Sequence, residues 1–236
     1  MYELTQRRAF PILVAMDSHR SFKDRAYGEF SRVGQALAHP KRLEVLDLLA
    51  QGPRHVDALA EEMGLSVASA SQHIQVLRHA KLLESTRDGT RTIYRLADKG
   101  VLRLLLALRS VAETRLAEVD QLNRERTDAG EDGIFSRESL QRLIDEGDVC
   151  VVDVRPPLEY DHGHLPGALS LPFEQFPSRL DELPRDRAIV VYCRGAYCLW
   201  AGEALHLLRQ HGFKASRVAG GWEEWWDEER PVATAG

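Results

Sequence analysis

The spacing of apolar positions divides the chain into two textures. Phe22, Ala26, Phe30, Val33 and Leu37 recur three or four residues apart, the stripe of an amphipathic helix. A second helix is predicted over 40–50, opened by Pro40 in its first turn and closed at Gly52-Pro53. "HVDALAEEMG" follows and stops at Gly64, and Ser66 then N-caps "VASASQHIQVLRHA". Two short helices around a glycine turn predict a helix-turn-helix. In the second, Ala70, Ile74 and Leu77 face inward, Ala68, Gln72, Gln75 and His79 face outward, and Ser69 and Ser71 lie at the edges. "LLESTRDGTRTIYRLA" switches to two β-rich runs about Asp88-Gly89, which predicts a hairpin. Val101, Leu105, Leu108, Ala112, Leu116, Val119 and Leu122 keep a four-three spacing over 98–125. That predicts one helix of roughly 40 Å, with a stripe long enough for a dimer seam.

From Phe135 onward near-continuous β runs alternate with helical segments. "SRESLQRLIDEG" is a capped helix ended by Gly147, and "VCVVDV", "GALSLP", "AIVVYC" and "ASRVAGG" are strands. "FEQFPSRLDEL" and "CLWAGEALHLLRQHG" are helical between them. Such alternation predicts an open parallel sheet. The polar stretch "ERTDAGEDG" separates the two textures. The expected organisation is α+β and multidomain. Residues 1–21 form a tail without fixed structure, 22–126 a mostly α winged-helix domain, 127–133 a linker, and 134–236 an α/β domain with a central parallel sheet.

Charge sharpens the division. The net charge of −5 argues against a generic polyanion binder, yet residues 20–96 carry 12 basic against 9 acidic side chains, and residues 133–236 carry 11 against 17. The two halves are expected to meet different partners. Three cysteines are too few for a disulfide framework, so a reduced, cytoplasmic setting is expected, with no metal and no cofactor. No apolar run reaches the roughly 18 residues that span a bilayer, so no membrane partner is expected. "RRAFPILVAM" lacks the cleavage site of a signal peptide, and Met16 is a second candidate start beside Met1.

The outer face of the second helix carries small residues, hydroxyls and amides. Such a face enters the major groove closely, where glutamine pairs with adenine. Ala68, Ser69, Ser71, Gln72 and Gln75 are therefore the candidate base-reading residues, Arg78 a phosphate contact, and Arg87, Arg91 and Arg95 the basic wing. "ALAHPKRLEVLDLLAQG" with "LSVASASQHIQVLRHAKLLESTRDGTRTIYRL" resembles an ArsR-type winged helix over about residues 22–125. The resemblance implies a homodimer formed by the first and last helices, double-stranded operator DNA as partner, a repressor's role, and DNA contacts at Ala68, Ser71 and Gln72. Where many ArsR-type metal sensors carry two cysteines, this chain has His55 and Asp57, too few ligands for a structural metal site.

The second half places Cys193 at the end of a strand run and Cys198 five residues later, before a helix. Loop amides, a helix N-terminus and Arg194 together favour a thiolate at Cys193. Phosphatase chemistry requires C-x5-R, and here that position is Leu199. Attack on a sulfane sulfur, giving a cysteine persulfide, is the chemistry expected. "VVDVRPPLEYDHGHLPGALSLP", "VVYCRGAYCLWAGEALHLLRQHGF" and "VAGGWEEW" resemble, in this order, the signatures of a rhodanese domain over residues 133–232. The resemblance implies a persulfide on Cys193 held by the amides of residues 194–198. Arg194, Gly195, Ala196, Tyr197, Cys198, Asp153 and Arg155 are the candidate substrate-binding residues, and Glu159 is expected to pair with Arg155. Many sulfurtransferases end this loop with arginine, where Cys198 stands here as a candidate resolving thiol. Cys150 is expected in the core. Three readings stand: a DNA-binding regulator that forms a persulfide or senses reactive sulfur or redox state, a sulfurtransferase with an attached DNA-binding module, and an ArsR-type metal sensor with a passive rhodanese fold, which a tight metal site would revive. The small-molecule partner in the first two is thiosulfate, a polysulfide or a persulfide.

Overall fold

The computed structural model describes residues 10–127 and 134–235, so the expected linker lies almost wholly outside the described residues. The first domain opens with α1 (Phe10–Leu37) and α2 (Pro40–Ala50), followed by a short strand β1 (Arg54–His55). The helix-turn-helix is α3 (Val56–Glu62) and α4 (Val67–His79), with Gly64 between them at φ +63°. The wing is β2 (Leu83–Asp88) paired antiparallel with β3 (Arg91–Leu96), with β1 on the far edge of β3. α5 (Lys99–Arg115) and α6 (Ala117–Thr127) complete the domain. Its core is built by the inward positions of α2, α4 and α5, among them Leu46, Leu49, Ile74, Leu77 and Leu102.

Two expectations are corrected here. The first helix begins at Phe10, so residues 10–21 continue it rather than form a tail. The helix expected over 98–125 is broken at Leu116, which takes φ −108° and ψ 113°. The four-three spacing runs across that break unchanged, so periodicity carries no trace of it.

The second domain holds β4 (Ile134–Phe135), α7 (Arg137–Glu146), β5 (Val149–Asp153), α8 (Pro157–His162) and β6 (Leu169–Ser170). Two 3₁₀ turns, Phe173–Ser178 and Leu180–Glu182, stand where an α-helix was expected, with Pro177 inside the first of them. β7 (Ala188–Tyr192), α9 (Trp200–Gln210), β8 (Ala215–Val218) and α10 (Trp222–Asp227) follow. The five strands are all parallel, in the order β4-β8-β7-β5-β6. Alternate residues feed two cores. Cys150, Val152, Ile189 and Val191 pack toward α9, and Val151, Val190 and Tyr192 toward α7 and α10. Central β7 thus delivers its last residues to the rim of the sheet, where ligands of parallel sheets collect. Among the described residues no helix is long and apolar enough to cross a membrane.

Candidate functional site

In α4 the Ser66 hydroxyl accepts from the Ser69 amide at 3.2 Å, while Ala70, Ile74 and Leu77 are fully buried. Ala68 and Gln72 are exposed, and Ser69, Ser71 and Gln75 partly so, as the periodicity required. Arg78 is drawn sideways: its Nη1 donates to Gln75 Oε1 at 3.2 Å and its guanidinium lies 6.0 Å from the Tyr94 ring centre. Arg87 and Arg91 stand exposed at the hairpin tip, but Arg95 is ion-paired with Glu84 across the wing. Arg32 of α1 donates to the His79 carbonyl at 3.2 Å and, with Lys81, borders an open cleft at the end of α4. Sequence reasoning missed both, because neither lies on the stripe that marked α4.

At the rim of the second domain, Cys193 follows β7, is 1% exposed, and is joined by a disulfide to Cys198, with Cα atoms 6.2 Å apart. The loop between them is held from below by the start of α10. The Trp222 and Glu223 amides donate to the Cys193 and Arg194 carbonyls, each at 3.0 Å. Gly221 permits that approach: a Cβ there would fall 2.4 Å from the Cys193 oxygen. Gly195 and Ala196 are partly buried in the loop. The Cys198 amide donates to the Gly195 carbonyl at 3.1 Å, and α9 begins only at Trp200, so one of the amides expected to hold a persulfide is used within the loop itself.

The ion pairs differ from those expected. Arg194 does not stand free beside the sulfur. Its Nη2 lies 2.5 Å from Glu159 Oε1 and 2.7 Å from Glu62 Oε2, the latter at the end of α3 in the first domain. Burial alone would lower its pKa, but the two carboxylates outweigh that and hold it cationic. Glu159 pairs with Arg194 and with Arg54, whose Nη2 is 2.5 Å away, and not with Arg155. Asp153 and Arg155, expected to bind substrate, are fully buried and bonded to each other. Arg155 Nη2 donates to Asp153 Oδ2 at 2.6 Å and to the Gly163 carbonyl at 2.7 Å, and Tyr192 Oη donates to Asp153. The pair braces the ends of β5 and β7, and Arg155 Nη1 reaches Gln51 Oε1 of the first domain at 3.3 Å.

Among the described residues, the contact between domains is rich in polar groups, many of them buried, and it takes in the cysteine loop. Tyr197 Oη donates to Glu113 of α5 at 2.7 Å, and the Arg109 guanidinium lies 5.8 Å from the Tyr197 ring centre. Arg109 bridges Asp47 and Glu223, while Gln51 Nε2 donates to Glu223 Oε1 at 2.9 Å. Trp222 Nε1 donates to the Ala50 carbonyl at 3.2 Å, and Lys99 Nζ to the Trp226 carbonyl at 2.9 Å. Burial and then Asp47 push Glu223 well above the usual carboxylate range, against the pull of Arg109. Cys150 sits in the core with its thiol raised by burial.

A wing and helix-turn-helix beside a parallel sheet whose central strand ends in a cysteine loop define a winged-helix protein with a rhodanese-like domain. Residues 37–86 match the helix-turn-helix domain family and residues 136–228 the rhodanese-like domain family. The chain is 43% identical over 197 residues to the HTH-type transcriptional regulator Rv0324 of Mycobacterium tuberculosis, covering 84% of this chain and 87% of that one. It belongs to this family of HTH-type transcriptional regulators. Over 100 residues it is also 39% identical to a sulfurtransferase of Allochromatium vinosum, 42% of this chain and 92% of that protein. Among solved structures, the homodimeric winged helix-turn-helix DNA-binding domain Mb0332 of Mycobacterium bovis is 42% identical. It covers 40% of this chain and 87% of its own, with a TM-score of 0.38.

Proposed function

We propose that this transcriptional regulator binds its operator as a homodimer, in the cytoplasm where the DNA lies, and that the Cys193–Cys198 pair sets its affinity in response to reactive sulfur. Ala68, Ser69, Ser71, Gln72 and Gln75 read bases, and Arg78, Arg87 and Arg91 meet phosphates. Phe22, Tyr27 and Phe30 of α1 and Val111, Leu116 and Leu122 along α5 and α6 are exposed apolar side chains that a second copy covers. In the sulfur step, a polysulfide or persulfide donor gives its outer sulfur to the Cys193 thiolate and leaves as a thiolate. The Cys198 thiolate then attacks Cys193 Sγ, forming the disulfide and expelling hydrosulfide.

The observation that carries the regulatory reading is the clasp. Between the two cysteines, Arg194 is bound to Glu62 and Tyr197 to Glu113, so a loop that changes covalent state pulls directly on α3 and α5. A modification shifts DNA affinity only if it favours one arrangement of the domains over the other, and the clasp supplies that differential contact. The test is the Glu62→Gln, Glu113→Gln double variant. It is expected to keep operator binding and lose the difference between oxidised and reduced protein. An unchanged difference refutes the clasp as the route. The likeness to a sulfurtransferase favours a second reading, turnover for its own sake. Sustained thiocyanate release from thiosulfate and cyanide supports it, and a single stoichiometric modification supports regulation.

A further inference from the structure

We infer that the cleft between the two domains binds an amino-acid-type low-molecular-weight thiol, and that this thiol opens the disulfide at Cys198 rather than at Cys193. The inference rests on the redox reading above and names what resets it. The cleft has a volume of about 260 Å³ and is walled by Asp47, Arg109, Arg194, Tyr197, Cys198 and Trp200. Cys198 lies in this wall and is partly exposed, whereas Cys193 is 1% exposed and packed in the core. Exchange at a disulfide goes to the sulfur that an incoming thiolate reaches, so access selects Cys198.

The wall also selects the thiol. Arg194 binds its carboxylate partners through Nε and Nη2, which leaves Nη1 for an incoming carboxylate. Arg109 adds a second guanidinium, already paired with Asp47 and Glu223, and Asp47 adds a carboxylate that an ammonium group would share with Arg109. Tyr197 and Trp200 add aromatic surface to the same wall, against which an aliphatic part can pack. A thiol carrying both charges matches this set, and a neutral thiol matches none of it. Asp47 and Arg109 belong to the DNA-binding domain, so the site is complete only while the domains are docked.

The step balances. The thiolate RS⁻ attacks Cys198 Sγ, the Cys193–Cys198 bond breaks, and its electron pair leaves on Cys193 as a thiolate. A second RS⁻ attacks the ligand sulfur of the mixed disulfide, giving RSSR and the Cys198 thiolate. Two thiols are oxidised, the pair is reduced, and their protons pass to the two protein sulfurs.

The experiment uses oxidised full-length protein and four thiols: cysteine, cysteamine, mercaptoacetate and 2-mercaptoethanol. Opening rates are expressed per thiolate, and acid-quenched, alkylated samples are mapped by mass spectrometry. Cysteine is expected to exceed 2-mercaptoethanol by about tenfold or more, the equivalent of one charge-assisted hydrogen bond, with the adduct on Cys198 and the alkyl group on Cys193. In Asp47→Asn protein the advantage of cysteine over mercaptoacetate is expected to shrink. Equal rates across the series overturn the ligand class, and an adduct on Cys193 overturns the entry point. A phosphine reductant opens the bond without using the cleft. If that opening leaves DNA affinity unchanged, the regulatory reading fails, whatever the thiol series shows.

Discussion

Arg54 has a side chain only 2% exposed and is held by Glu159, which is fully buried. Removing one partner of a buried pair strands the other, so Arg54→Met is expected to cost about 3 kcal/mol, read as a lower urea midpoint. A loss within about 0.5 kcal/mol, the range of ordinary surface changes, would show that Arg194 alone suffices for Glu159. Gly221→Ala tests the floor of the cysteine loop. Its Cβ meets the Cys193 oxygen and the Gly195 nitrogen, both backbone, so the loop must move. A cost of about 1–3 kcal/mol is expected, with faster alkylation of reduced Cys193, and an unaltered alkylation rate contradicts it. These roles were only half legible in the chain. The cysteine spacing placed the loop, but Glu159 sits four residues after Arg155, in α8, and pairs instead with arginines 105 and 35 residues away. Ion pairs set by docking leave no local pattern.

Elements were legible where one face is buried. Ala70, Ile74 and Leu77 marked α4, and the wing hairpin pairs Asp88 with Arg91 around Gly89, which takes φ +58°. The proposed recognition surface is the exposed face of α4 together with the tip of this wing. Gln72→Ala is expected to weaken operator binding by about 1–3 kcal/mol and to relax base preference at one position. Arg91→Ala is expected to weaken all sequences alike and lower the salt slope by about one. Titrations at several salt concentrations separate the two, and identical behaviour contradicts the assignment. The break at Leu116 was illegible, because a strict spacing with no Gly or Pro predicts continuity. Val111 is 62% and Leu122 61% exposed on either side of it. Val111→Glu is expected to convert dimer to monomer in sedimentation and to weaken DNA binding with it.

At the scale of the whole molecule, the two domains share one buried polar contact, and nothing in either half of the sequence announced it. Composition marked two partners for two domains, whereas the acidic half in fact turns Glu159 and Glu223 inward to arginines of the other half. Glu223 gives this contact a pH signature. Its pKa in the folded state is raised, so its stabilising share is complete below the unfolded value and is lost as pH rises through the folded one. Thermal stability of the wild type is therefore expected to fall, relative to Glu223→Gln, as pH rises above the ordinary carboxylate range; parallel profiles contradict this. The central claim is that the covalent state of the cysteine loop sets DNA affinity. It is tested most directly by selecting an operator from random DNA with the reduced protein, then measuring the affinity of dithiol and disulfide forms for it, with Cys193→Ser beside them. The account predicts different affinities for the two forms and one affinity for the variant whatever the oxidant. Equal affinities for dithiol and disulfide would contradict it.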